Sequence, residues 1–158
     1  MQNFWIKELR ALGKGEDAVI EFSDGLNLIQ GRSQTGKTWI MKSIYYLFGS
    51  DKRPFNPDIG YHTIQGIFST KRYGDVTITR NLDEDYVFLA STDDDEINGF
   101  YYIDYSNSAG RKFLDDFWLS VIGIDEQITV PKNQQYERQH LTWTSLASMF
   151  FVDEGEVD

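Results

Sequence analysis

Eight consecutive residues carry the clearest chemistry in this chain. Gly31, Arg32, Ser33, Gln34, Thr35, Gly36, Lys37 and Thr38 fit the pattern GxxxxGK[ST] in full. In such a stretch, successive backbone N–H groups wrap the β- and γ-phosphates of a nucleotide and the lysine ammonium reaches the same oxygens as a point charge. The Thr hydroxyl ligates Mg²⁺ at the positive end of a helix. Lys37 is therefore the candidate catalytic cation, and Gly31 to Thr38 together with Trp39 are the candidate nucleotide-binding residues. Thr38 is the candidate metal ligand, and ATP with Mg²⁺ is the expected cofactor pair.

The mechanism requires a strand before this loop and a helix after it. "LNLIQ" at 26–30 supplies an apolar strand-like segment, and from Thr38 onward Ile40, Ile44, Leu47 and Phe48, with Met41 and Tyr45 beside them, recur at helical spacing. Gly49 stands where a helix C-terminal cap belongs. Upstream, "FWIKELRAL" and "AVIEF" read as short strands, and "SDG" at 23–25 as the turn leading into the third strand.

Downstream, "SDKRPFNPDIGY" at 50–61 holds two of the three prolines and reads as a loop. "TIQGIFST", "DVTITRNL" and "YVFLAST" show β-branched alternation, which predicts an antiparallel meander, with "NGFYYIDY" after it. The acidic run from Asp93 to Glu96 reads as a solvated turn. In "AGRKFLDDFWLSVIGI", Phe113, Leu114, Phe117, Trp118 and Val121 share one helical face behind a Ser106, Asn107, Ser108 start signal. "QITVPKNQQYERQHLTW" suggests two edge strands joined by a loop. The expected fold is α/β with α+β character: a P-loop core with mixed sheets, an antiparallel β-subdomain and two main helices.

Length and charge bound the function. With 158 residues the chain is long enough for one domain with a sizeable core, and residues 1–158 are read as a single domain. Twenty-five Asp plus Glu against 15 Lys plus Arg give a net charge of −10, so the surface as a whole is no nucleic-acid platform. Nucleic acid is expected only through regions outside this chain. Cysteine is absent, which removes disulfides and thiolate metal sites. The longest apolar runs fall well short of the roughly 20 residues that span a bilayer, so no membrane is expected and a cytoplasmic location is. His62 and His140 are read as structural, and the plentiful aromatic residues as packing.

The nucleotide motif does not come with the companions of every P-loop class. No NKxD-like base-reading motif marks a GTPase, and the antiparallel strands after the first helix depart from a small kinase. The stretch "IKELRALGKGEDAVIEFSDGLNLIQGRSQTGKTWIMKSIYYLFG" resembles the N-terminal lobe of the SMC, RecF, RecN and SbcC class of ATPases, relatives of the ABC transporter heads. The likeness extends through a meander ending in an Arg, here "VTITR" at Arg80. Many members carry a further Gly at the position of Gln34. The resemblance implies half of an ATPase head. A C-terminal lobe of the same protein would supply the signature sequence and the catalytic glutamate, and a second head would close ATP in a dimer. It also places a basic residue near the nucleotide, here Arg10, and implies that the isolated chain hydrolyses ATP negligibly.

The end of the chain admits three readings, the plainest of them a buried helix end. "LTWTSLASMFFVDEGEVD" resembles the segment in which the family glutamine contacts Mg²⁺ and the attacking water, with Glu154 near that position. "MFFVDE" equally fits four apolar residues followed by Asp-Glu, which makes Asp153 a metal ligand and Glu154 a catalytic or metal-binding residue of a self-contained small NTPase or kinase. For the chain as a whole, a further possibility is a nucleotide-gated interaction module without catalysis.

Overall fold

A computed structural model describes residues 3–32, 36–104 and 110–147. The described chain is α+β: a six-stranded antiparallel sheet, a separate two-stranded hairpin and three helices. In chain order these are β1 (Phe4–Gly13), β2 (Ala18–Glu21), α1 (Lys37–Leu47), β3 (Tyr61–Thr70), β4 (Gly74–Asn81), β5 (Tyr86–Ser91) and β6 (Gly99–Tyr102). After them come α2 (Leu114–Val121), β7 (Thr129–Pro131), β8 (Arg138–His140) and α3 (Trp143–Ala147). The large sheet runs β2-β1-β3-β4-β5-β6, so the meander expected from the alternating β-branched residues is present and β1 joins its first strand. The acidic run ends in a short 3-10 turn at Asp95–Ile97, capped by the Asp94 carboxylate.

Strand alternation decides which face holds the core. Ile64, Phe68, Val76, Ile78, Val87 and Leu89 are buried on one face, toward α1 and α2. Gln65, Ile67, Thr77, Thr79 and Phe88 point the other way, in line with the period-2 rule for strands. The predicted face of the second helix is buried as expected, with Trp118 fully enclosed. Its indole ring lies 4.7 Å from Phe48, 5.0 Å from Phe68 and 5.2 Å from Phe4, and stacks on Trp143 at 5.6 Å. The Trp118 Nε1–H donates to the carbonyl of Leu47 at 3.3 Å, which ties α2 to the end of α1.

Three expectations are corrected. "LNLIQ" lies in no strand: Leu26 is 98% exposed and Leu28 78%, and no described strand runs beside the segment to complete its hydrogen bonds. The second helix begins at Leu114, because Lys112 and Phe113 run alongside β6, with the Tyr102 N–H donating to the Lys112 carbonyl at 2.8 Å and Phe113 extended. Residues 106–108, read as its start signal, lie outside the described residues. The strands of 127–143 pair with each other and not with the main sheet, so among the described residues both sheets are antiparallel, with only an isolated parallel bridge between Tyr102 and Phe113, where mixed sheets were expected.

Two local details position α1. Its C-terminal end closes in the αL turn foreseen at Gly49, whose φ is 109°. The Gly49 N–H donates to Tyr46 O and the Ser50 N–H to Tyr45 O, the two bonds of a Schellman cap. At its last residue, α1 approaches β3 so closely that a Cβ on Gly66 would stand 2.6 Å from Leu47 Cδ1 and 2.8 Å from Phe68 Cε2. Gly66→Val must push α1 off the sheet. A loss of roughly 1–3 kcal/mol is expected, read as a melting temperature lower by several degrees, and an unchanged melting temperature would count against this packing.

The joint between α2 and α3 contains a titratable device. Asp115 accepts hydrogen bonds from the backbone of Thr144 and Trp143 and from the Thr144 side chain, yet burial, the dominant influence, pushes its pKa up from 3.8 to about 6. A raised carboxyl favours the neutral form in the folded state, so its contribution is fully present below about pH 4 and is lost as pH rises through about 6. The Asp115→Asn variant, neutral at every pH, should therefore gain on the parent between pH 4 and 6 and level off above. The expected gain is roughly 1–3 kcal/mol, measured by urea unfolding across pH; a pH-independent difference would refute it.

Candidate functional site

The described residues of the GxxxxGK[ST] motif lie at and before the N-terminal end of α1. Asn27 first shapes the approach: its side chain accepts from the Ser23 N–H at 2.8 Å and donates to the carbonyls of Ser23 and Gly25, closing the turn. The chain then passes Gly31 and Arg32. Ser33, Gln34 and Thr35, named with them as nucleotide-binding residues, lie outside the described residues. Gly36 resumes as the N-cap of α1 with φ 86° and ψ 4°, a left-handed conformation that glycine takes without strain. The Trp39 and Ile40 N–H groups both reach the Gly36 carbonyl, at 3.0 and 3.3 Å.

Among the described residues no side chain caps this helix end, and its first turn holds no acidic residue. The partial positive charge of the helix terminus is therefore offered to whatever anion the loop cradles. Lys37 adds a full charge there. Its Nζ donates to the carbonyls of Gly31 at 2.7 Å and Arg32 at 2.5 Å, reaching back to the start of the loop it follows. The ammonium thus stands at the mouth of the turn, between its two ends. Thr38 is exposed in the first turn of α1, beside Lys37. These residues fit a nucleotide triphosphate with its metal.

Beside the cradle lies a cleft of about 630 Å³ between the β1–β2 hairpin and α1. Its lining includes Gly36 at the cap of α1, Trp39, Ile40 and Ser43 from α1, Leu9, Ala11 and Val19 from the hairpin, Phe55 from the turn after α1 and Tyr61 from the start of β3. Trp39 packs against Phe55 at 5.9 Å, and Phe55 against Tyr61 at 6.1 Å. Arg10 also borders the cleft, but the register sets it opposite Gln65 and Val19, on the sheet face turned from α1. Its guanidinium bonds Glu8 at 2.7 Å. Arg10 is thus near the candidate site while its charge is engaged on the far face. Asp153 and Glu154, named as catalytic or metal-binding, lie outside the described residues. Among the described residues, no group of three or more His, Asp or Glu is placed to hold a metal ion.

Sequence reasoning missed two features. Phe55 was read as loop, yet Pro54 and Phe55 are buried and Asn56 caps a 3-10 turn at Pro57–Ile59, so the aromatic wall is held in place. An apolar residue between two prolines was the available signal. The second is Arg80, which continues the inward series Val76, Ile78 and is 4% exposed. Its Nη1 donates to Tyr46 O at 2.6 Å and Ser50 O at 2.8 Å, and its guanidinium lies 3.6 Å over the Tyr46 ring. Burial lowers its pKa and raises that of Tyr46. The bonds fall on carbonyls at the C-terminal end of α1, the negative pole of the helix whose other end forms the cradle.

The model of an AAA domain matches residues 6–156 of the chain. The chain belongs to the AAA domain family, an ATPase-like P-loop family whose members use nucleotide and Mg²⁺ in general. No match is found among curated proteins or among solved structures.

Arg80→Leu should test the clamp on α1. It leaves the Tyr46 and Ser50 carbonyls without their donor and removes the cation from the Tyr46 ring, so a loss of about 3 kcal/mol or more is expected in chemical unfolding. A loss below about 1 kcal/mol would show that the helix end holds itself.

Proposed function

We propose that the chain binds ATP and Mg²⁺ as the N-terminal half of an SMC/RecN-like ATPase head, and that hydrolysis needs a C-terminal lobe. The observation that carries this reading is the pairing of an open helix end bearing Lys37 with a preceding segment that joins no described strand. Lys37, Gly36 and Thr38 stand ready at an uncapped helix end, while the segment leading into them, with Leu26 and Leu28 exposed, has no strand beside it. In a P-loop fold the strand before the loop lies inside a sheet covered on both faces. Neighbouring strands from another lobe would bury both leucines and complete that sheet.

The division of chemistry supports the same reading. Phosphoryl transfer depends on positioning and on charge stabilisation, and Lys37 and Thr38 meet only the phosphate and metal part of it. A group that positions water and donors that meet the developing charge must come from elsewhere, from a C-terminal lobe and from a second head facing the first across the nucleotide. Nucleic acid, where the assembled protein meets it, is proposed to be held outside this chain, given the net charge of −10. Among the described residues no helix is long and apolar enough to cross a membrane.

Two measurements on the purified chain test the proposal. Calorimetry with Mg·ATP should give a weak affinity, in roughly the micromolar to millimolar range, that falls at least about tenfold in Lys37→Ala; equal binding by both would remove the phosphate assignment. Steady-state phosphate release should stay at background. Turnover near about 1 per second, lost in Lys37→Ala and Glu154→Gln, would overturn the half-head in favour of a self-contained ATPase.

A further inference from the structure

We propose that the cleft beside the cradle holds the base of the bound nucleotide by stacking on Trp39 without reading its hydrogen-bonding edge, so that the site accepts adenine and guanine nucleotides alike. The proposal rests on the phosphate reading of Gly31 to Thr38 and extends it from the phosphates to the nucleoside.

Continuity is the first argument. Gly36 is at once the cap of α1 and a wall of the cleft, and a Cβ on it would stand 3.8 Å from Trp39 Cε3. A nucleoside whose phosphates lie on the first turn of α1 is thereby led along the Trp39 ring. The volume of about 630 Å³ falls within the range of small-molecule sites and takes a purine with its ribose.

The second argument is the state of the ring. Trp39 is 45% exposed, although it sits in a helix whose neighbours Ile44, Tyr46 and Leu47 are buried. Its other side rests on Phe55, which in turn rests on Tyr61, and the Pro54 and Asn56 turn fixes Phe55. A half-exposed indole backed by Phe55, itself set against Tyr61, is held before any ligand arrives, so little conformational freedom is lost on stacking.

The third argument is what the lining lacks. The polar side chains among its described residues are Arg10, Ser43 and Tyr61; Asp, Glu, Asn and Gln do not occur there. An adenine edge is read by a paired acceptor and donor, as an amide provides, and the N1–H and amino group of guanine by a carboxylate. Arg10 is committed to Glu8, and a hydroxyl serves either base equally. A pocket without dedicated polar partners rejects the wrong base weakly, because no buried group is left unpaired by it.

Calorimetric titrations of the chain with Mg²⁺ plus ATP, GTP or inorganic tripolyphosphate test the proposal, using the parent, Trp39→Ala, Trp39→Phe and Lys37→Ala. Trp39→Ala should weaken ATP and GTP by a similar factor of about ten, the size of one base–aromatic stack, and leave tripolyphosphate unchanged; Trp39→Phe should restore most of the loss. Lys37→Ala should weaken all three. Equal weakening of tripolyphosphate by Trp39→Ala would make Trp39 a part of the loop's frame and overturn the stacking role, as would no effect on ATP. A preference for one base above about a hundredfold would overturn the claim that the edge is unread. Tripolyphosphate binding indifferent to Lys37→Ala would instead remove the phosphate reading beneath it, and melting curves of both Trp39 variants separate any of these from a failure to fold.

Discussion

The cradle depends on how one short helix is held. α1 has 11 residues, near the limit at which a helix in water stands without help, and one of its ends must remain open to a ligand. Capping that end with a carboxylate would stabilise the helix and block the anion site. The stabilisation is therefore placed elsewhere: along the flank, where Gly66 lets Leu47 reach the sheet, and at the far end, where the Schellman turn and Arg80 take the last carbonyls. Arg80 is costly to bury, since among the described residues its hydrogen bonds go to carbonyls, and the helix pole and the Tyr46 ring supply its negative partner. In return the β4 strand is fastened directly to the helix that carries the motif.

Charge is partitioned on the same principle. The chain carries a net −10, a field that repels a polyanion at long range, so a phosphate site must rest on short-range and local features. The open helix end, the glycine backbone and the Lys37 ammonium are all local. They act over a few ångströms, inside the distance at which solvent screens the rest of the surface.

Much of this was legible because it is encoded locally. The strands of the meander follow from alternation at Val76, Ile78 and Arg80 or Val87 and Leu89, and the buried face of α2 from the spacing of Phe113, Leu114, Phe117, Trp118 and Val121. The misjudged parts depend on partners that local pattern does not name. The start of α2 moved because β6 takes Lys112 and Phe113 as an extended neighbour, and β7 and β8 paired with each other because their sequence states strand propensity and not strand partner. At the site, motif spacing pointed to the turn before α1, but the Phe55 and Tyr61 wall of the cleft arises by tertiary contact alone. Arg10 was placed near the nucleotide by resemblance, and only the pairing with Gln65 reveals which face its side chain takes.

The segment from Leu26 to Gln30 is the most instructive of these cases, because its pattern and its surroundings disagree. Leu26 and Leu28 sit on alternate positions as in a half-buried strand, and burying each would contribute roughly 1.5–3 kcal/mol. Asn27, between them, is already spent on the turn behind Ser23. On the proposed reading, a second lobe that pairs with this segment does more than cover two leucines. It fixes the strand that ends one residue before Gly31, and so lowers the cost of ordering the loop around phosphate. Ligand and lobe then stabilise the same conformation, and thermodynamic reciprocity requires that whatever affinity the lobe adds to nucleotide binding, the nucleotide adds to binding of the lobe.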